Sequence, residues 1–280
     1  MANAWIHVSD ETGIRQGDVV KLFGGDKISY AVVLTADCDI AQRKTNNRMT
    51  IVRAVPVQEF VSKYWAAWEL EKNYEKQVKT LLPFLNAKIG ILDHNLDALD
   101  GERITQWAGK TSPSDIFDII GLDAAKHSKE FGSLSVISIY ARFAADLADV
   151  DGLSALSQAF SAMNRSTGDI RERVREALLT SGGFQDYLVI PNLPSTNGDG
   201  LVVLMREVMT APAEDFFKSE YQARVEDSLG CYVRIGRLSD RVKYAVSQRL
   251  AFVFSRIGME SEYEDSCCTL AELISLEATP

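Results

Sequence analysis

Stretches with strand character lie at both ends of this chain, and a long stretch with helix character separates them. Near the start, residues 18–23, 29–35 and 49–55 are rich in β-branched residues and are broken by Gly, Asp and Asn. Near the end, residues 187–190, 201–209 and 232–235 repeat that character. Three short strands alone bury too little to stand. An open sheet edge also invites unwanted pairing. The economical solution is one small barrel that draws strands from both ends, with the helical stretch inserted between them. Long insertions cost little loop entropy. Two independent domains are the competing arrangement.

The central stretch reads as a series of helices. Residues 58–82 place Phe60, Tyr64, Trp68 and Leu70 on one face, with Pro83 near the end. Residues 86–112 fit no single pattern, and Lys88-Ile89-Gly90-Ile91-Leu92 has the composition of a short strand. Ser112-Pro113-Ser114-Asp115 is a cap for a helix carrying Ile116, Phe117, Ile119 and Ile120. Residues 136–147, 153–163 and 170–179 have helical periodicity, and Gly182-Gly183 closes the last. Ser239-Asp240 opens a final helix with Val242, Ala245, Val246, Leu250, Val253 and Phe254 on one face. The expected boundaries are 1–60 with 184–258 for the split barrel, 61–183 for the helical insertion, and 259–280 for an acidic tail.

At 280 residues and 46% hydrophobic content, the chain can bury a core without disulfide or metal staples. No run of eighteen apolar residues occurs, so no membrane-spanning helix is expected. The N-terminus lacks the basic-then-apolar order of a signal peptide. Cys38, Cys231, Cys267 and Cys268 form no zinc spacing with His7, His94 and His127. A reduced, cytoplasmic protein with no cofactor is expected.

The net charge of −9 excludes a general nucleic-acid coat, because phosphate neutralisation needs clustered Lys and Arg. Local basic runs remain. Arg43, Lys44, Arg48 and Arg53 form one with no acid between them. Arg234, Arg237, Arg241, Lys243, Arg249 and Arg256 form another, interrupted by Asp240; the series runs onto the amphipathic last helix, and the competing reading is a solvated face opposite the core. After Arg256 the tail has six acids and no Lys or Arg.

Asp37-Cys38-Asp39 is the most unusual local cluster. It follows a strand and is expected in a loop. Two carboxylates beside a thiol can bind a metal, hold a cationic partner or position a general base. The competing reading is a polar turn, in which Asp side chains bond nearby N–H groups. Asp37, Cys38 and Asp39 are the candidate catalytic residues, and Asp37 and Asp39 the candidate metal ligands. Arg43, Lys44, Arg48 and Arg53 are the candidate binding residues. Trp65 adds a candidate stacking face, whereas Trp68 is expected to dock its helix. Asp93-His94 reads as a solvated loop pair.

Arg15-Gln16-Gly17-Asp18-Val19 resembles the opening Arg-x-Gly-Asp-Val of the PemK/MazF-like toxin family. Ala31-Val32-Val33-Leu34-Thr35 is similar to its second strand, and Thr50-Ile51-Val52-Arg53-Ala54-Val55 to its third. Gly200-Leu201-Val202-Val203-Leu204-Met205 resembles a later strand. Arg234-Ile235-Gly236-Arg237-Leu238-Ser239 and the helix after it resemble the final strand and C-terminal helix.

The resemblance implies an α+β chain with a small SH3-like barrel, a homodimer, and metal-independent cleavage of single-stranded RNA. That chemistry uses an Arg just before the second strand and a Thr just after the third. Here those positions are Ser29, with Lys27 nearby, and Pro56. The family's acid-Gln-Ile-Arg signature reads Arg206-Glu207-Val208-Met209. The implied function is therefore a binding module for nucleic acid or protein, in a bacterial toxin–antitoxin or phage-defence setting. The alternative is a divergent, metal-dependent endoribonuclease using the Asp37/Asp39 segment. The expected partners are RNA or DNA, a protein bound through the helical insertion, and a second copy of the chain, with no membrane.

Overall fold

The computed structural model describes residues 4–9, 11–24, 29–92, 97–146, 151–179, 186–192 and 200–255. Lys27 and its turn, Asp93-His94, Gly182-Gly183, Arg256, Cys267, Cys268 and the acidic tail lie outside the described residues.

The chain begins with β1 (Trp5–Ile6), β2 (Asp18–Phe23), β3 (Tyr30–Val33), α1 (Asp37–Ala41) and β4 (Arg48–Pro56). It continues through α2 (Val57–Glu59), a π-helical turn (Phe60–Trp65) and α3 (Ala66–Leu92). Then come α4 (Gly101–Lys110), α5 (Pro113–Ile119), α6 (Ser128–Ala145), α7 (Gly152–Ala162) and α8 (Thr167–Leu179). Strands return as β5 (Tyr187–Ile190) and β6 (Leu201–Pro212), followed by a 3₁₀ turn (Ala213–Asp215) and β7 (Phe216–Phe217). The described chain closes with α9 (Glu220–Val225), β8 (Cys231–Leu238) and α10 (Asp240–Phe254). It divides into two compact units, Met1–Ala54 with Phe184–Pro280, and Val55–Gly183.

The first unit holds an antiparallel sheet curled into a half-barrel. Its strand order is β1-β8-β2-β3-β4-β6-β5, with β7 lying parallel beside β8. Strands from the two ends of the chain meet three times, at β1–β8, at β2–β8 and at β4–β6. That is the pairing the two strand-rich ends lead one to expect. The register runs Val19↔Gly236 and then Val20↔Arg234, so Ile235 is the extra residue of a β-bulge.

Successive strand residues point to opposite faces, and both faces of this sheet are covered. On one face Val19, Val32, Val52, Val203 and Met205 pack with Val246 and Val253 of α10. On the other, Val20, Ala31, Val33, Met49 and Ile51 pack with Ile40, Phe216 and Tyr232. Two-sided burial explains why β3 reads as an unbroken apolar run rather than an alternating one.

A cluster of charged side chains, Asp18, Arg234 and Arg237, is buried inside this unit. Asp18 is 0% exposed. Its carboxylate accepts from Arg237 Nε and, at 3.0 Å, from Arg237 Nη2. It also accepts from the Arg15 backbone N–H at 2.9 Å. Arg234 Nη1 stands 3.9 Å from it. The same two guanidinium groups donate to the carbonyls of Ser9, Thr12 and Gly13. Arg234 and Arg237 thus lie on β8, Arg234 within the strand expected at 232–235, and neither belongs to the last helix with the rest of their basic run. They clamp the segment that enters β2.

The second unit is helical. Its core joins Leu81 and Leu85 of α3 to Ile104, Ile116, Phe117, Leu134 and Ile137. The side chains of Asp100, Ser112 and Asp151 cap α4, α5 and α7. Lys88 to Leu92 belongs to α3 and is not a strand. Leu85, buried, and Ile89, partly buried, continue the helical stripe there, and this outweighs the β-branched composition. Pro83 lies inside α3 on an exposed position, where water can serve the carbonyl it leaves unbonded.

Candidate functional site

The segment after β3 builds a groove on the first unit. Asp37–Ala41 is a short helix, where the sequence had suggested a loop. Its two acids fall in the first turn, where the exposed N–H groups favour negative charge. The chain then turns back through residues 42–47. Arg43, Asn46 and Asn47 have φ of 52°, 47° and 58°. Asn tolerates this left-handed region, but Arg enters it only when the surroundings hold it there.

Several bonds hold that path. Lys44 N–H donates to the Asp39 carbonyl at 2.9 Å, and Arg48 N–H to the Thr45 carbonyl at 2.9 Å. Thr35 Oγ1 accepts from Thr50 N–H at 2.7 Å. Ala213 N–H donates to the Asn47 carbonyl at 2.8 Å. Arg48 is the first residue of β4, and its guanidinium grips Thr210 through Oγ1 (3.0 and 2.9 Å) and the carbonyl (3.0 Å). The basic turn is therefore pinned to the far end of β6.

A groove of about 640 Å³ lies between them. Lys44, Asn46 and Arg48 are part of its lining, together with Val208, Leu250 and Phe254. Among the described residues, Asp39 is the single acid in its lining. Arg43, Lys44 and Arg48 are exposed. Phe254 is 61% exposed. Sequence periodicity had placed Phe254 on the core face of the last helix. Val246 and Val253 take that role, and Phe254 faces outward with the groove.

The remaining candidates have other roles. Asp37 accepts from Gln16 N–H at 2.8 Å and stands 3.6 Å from Lys243 Nζ. Burial pulls the Lys243 pKa down, but its hydrogen bond to Asp240, the Asp240 charge and the Asp37 charge outweigh this, so it lies above the usual lysine value. A lasting positive charge thus sits beside Asp37, which ties the Gln16 turn to α10. Cys38 is exposed and its thiol points at Asp39 Oδ1, 3.7 Å away. Among the described residues, no three His, Cys, Asp or Glu side chains gather as a metal-holding group.

Arg53 donates to Glu207 Oε2 at 2.9 Å, so part of its charge is already matched. Trp65 is 4% exposed and presents no open stacking face, contrary to its candidacy. Trp68 is the exposed one, at 51%, with the Lys72 ammonium 4.3 Å above its ring. Both tryptophans belong to the second unit. A smaller recess of about 440 Å³ beside β8 is lined by His7, Lys218 and Glu220 among others. Arg234 also lines it, but that guanidinium already donates to the carbonyls of Ser9 and Thr12 beside Asp18.

The groove contains residues that the sequence did not single out. Thr210, Val208, Leu250 and Phe254 join Lys44 and Arg48 only through the β4–β6 pairing and the return of α10. The exposed run Val208-Met209-Thr210 at a strand end is the one local signal that could have marked them. Set against known proteins, the chain matches no family model, no curated protein and no solved structure.

Proposed function

We propose that the sheet unit is a binding module for single-stranded nucleic acid, and that the groove between the basic turn and α10 is its site. The observation that carries this reading is the make-up of the lining. Lys44 and Arg48 offer charge to phosphates, and Phe254 with Val208 and Leu250 offers an apolar and aromatic surface to bases. Single strands use that combination, because backbone charge and base faces are both available to them. A duplex hides its base faces and fits the groove less well. The overall charge of −9 keeps the affinity local to this turn.

The sequence resemblance supports the same reading, since the family it points to acts on single-stranded RNA. The toxin–antitoxin or phage-defence setting rests on that resemblance. Catalysis of the family's kind is not proposed. Ser29 precedes β3 and Pro56 ends β4, and neither supplies a guanidinium or a hydroxyl where that chemistry wants one. The chain is expected to leave a single-stranded RNA uncut in EDTA over hours. Cleavage that disappears on mutating this groove would show the opposite. The metal-dependent alternative is the weaker one, because Gln16 and Lys243 already compete for Asp37.

Binding is tested by fluorescence anisotropy with labelled poly-U and poly-dT against a duplex of equal length. Both single strands are expected to bind, with affinity falling as salt rises. Replacing Arg43, Lys44 and Arg48 together by Ala is expected to weaken binding at least tenfold at low salt. The salt slope should flatten by about 2, as for three lost phosphate contacts on a single strand. Equal binding by the variant would place the site elsewhere.

A further inference from the structure

We propose that the acidic segment 257–280 of this same chain docks in the groove and competes there with nucleic acid. The docking stands on chain path and charge. Its consequence rests on the binding reading above.

The path is short. Leu250 and Phe254, near the end of α10, are themselves part of the groove lining, and the described helix gives way at Ser255. Whatever follows therefore departs from a wall of the site. The segment carries six acids and no Lys or Arg. Four of them, Glu260, Glu262, Glu264 and Asp265, fall within the first nine residues. A chain of that length can extend about 30 Å, which does not limit contact with a turn at the same groove.

The charges match. Arg43, Lys44 and Arg48 are exposed, and Arg48 is already fixed on Thr210. Asp39 opposes an acidic ligand, but it is the single acid among the described residues of the lining. One exposed ion pair is weak on its own. A tethered segment, however, meets its site at an effective concentration near the millimolar range, so several weak pairs together suffice. A nucleic acid that displaces the segment must supply more contacts than the acids do. Long strands would thus bind in preference to short ones.

The test uses the full chain and needs no nucleic acid. Carbodiimide cross-linking at low protein concentration, with isotope-labelled and unlabelled chains mixed, is read by peptide mass spectrometry. Lys44 is expected to join Glu260, Glu262, Glu264 or Asp265 within one chain. In the variant E260Q/E262Q/E264Q/D265N these products should vanish. Acetylation of Lys44 should then rise several-fold, with Lys126 unchanged as an exposed reference. No such cross-link, links only between different chains, or an unchanged Lys44 rate would overturn the proposal. The same variant should bind poly-U several-fold tighter, and R43A/K44A/R48A should remove that gain. Cross-links without any affinity for poly-U would support docking while defeating the binding reading. Poly-U binding without cross-links would defeat docking alone.

Discussion

Replacing Asp18 by alanine is expected to remove about 3–5 kcal/mol, the range seen when one partner of a buried ion pair is deleted. A domain of ordinary stability holds about 5–15 kcal/mol, so the loss would take a large share of what holds the sheet unit folded. The loss comes from what remains behind. Arg234 and Arg237 are both nearly buried, and Asp18 is the carboxylate they share. Without it, two guanidinium charges stay in the interior beside the carbonyl oxygens of Ser9, Thr12 and Gly13. Asp18→Asn keeps the shape and removes the charge, and should cost nearly as much. Replacing Asp18 and Arg237 together by apolar residues of similar size should recover part of the loss. Urea unfolding followed by circular dichroism measures all three. An Asp18→Asn midpoint equal to wild type would mean that the pair contributes shape alone.

Gly152→Ala is the second large effect. Gly152 opens α7, and a Cβ there would lie 2.4 Å from the Ser62 carbonyl oxygen and 3.5 Å from Ala66 Cβ. The obstacle is backbone, so no side chain can swing aside. Overpacking a tight site costs about 1–3 kcal/mol, and a collision with a carbonyl belongs at the top of that range. Gly90→Ala is the matched control. It lies in α3 with nothing within 4 Å of an added Cβ. There alanine should stabilise by up to about 1 kcal/mol, the usual helix preference of Ala over Gly. The two thermal midpoints should move in opposite directions. A neutral Gly152→Ala would show that α7 does not approach the π turn this closely in solution.

The π turn also explains what was legible in the sequence and what was not. Caps were legible because they are local, and Ser112 caps α5 as its spacing implies. The apolar strand runs were legible because both sheet faces are buried. The first long helix was misread in phase. A 3.6-residue period from Phe60 leads to Tyr64 and Trp68 as the buried face. The π turn inserts i→i+5 geometry at that point. The buried face therefore runs Phe60, Trp65 and Leu70, and Trp68 swings outward. No composition signal announces such a turn.

The groove was half legible for a different reason. Arg43, Lys44 and Arg48 stand together in the sequence, so their shared charge is visible. Phe254 and Thr210 reach them from more than 150 residues away. Helical periodicity identifies an apolar face but cannot say which part of it meets a core and which meets a groove. Asp37 and Asp39, adjacent but for one thiol, were read as one site. The fold gives them separate partners, because helix geometry sends neighbouring side chains different ways.

The position of β8 sets a timetable for the ribosome. Among the described residues it is the last strand to be made, yet it lies between β1 and β2, the first two. Until residue 238 emerges, β2 has only β3 beside it, and its other edge has no partner strand. The helical unit, encoded in between, can complete its own core long before then. Domains usually fold in order of synthesis, N-terminal first. Here the middle of the chain is ready first and the beginning must wait for the end. Nascent chains stalled after residue 190 should therefore be protease-resistant across 55–183 and open to cleavage before residue 54, with the first strands held as a client for chaperones until translation reaches β8.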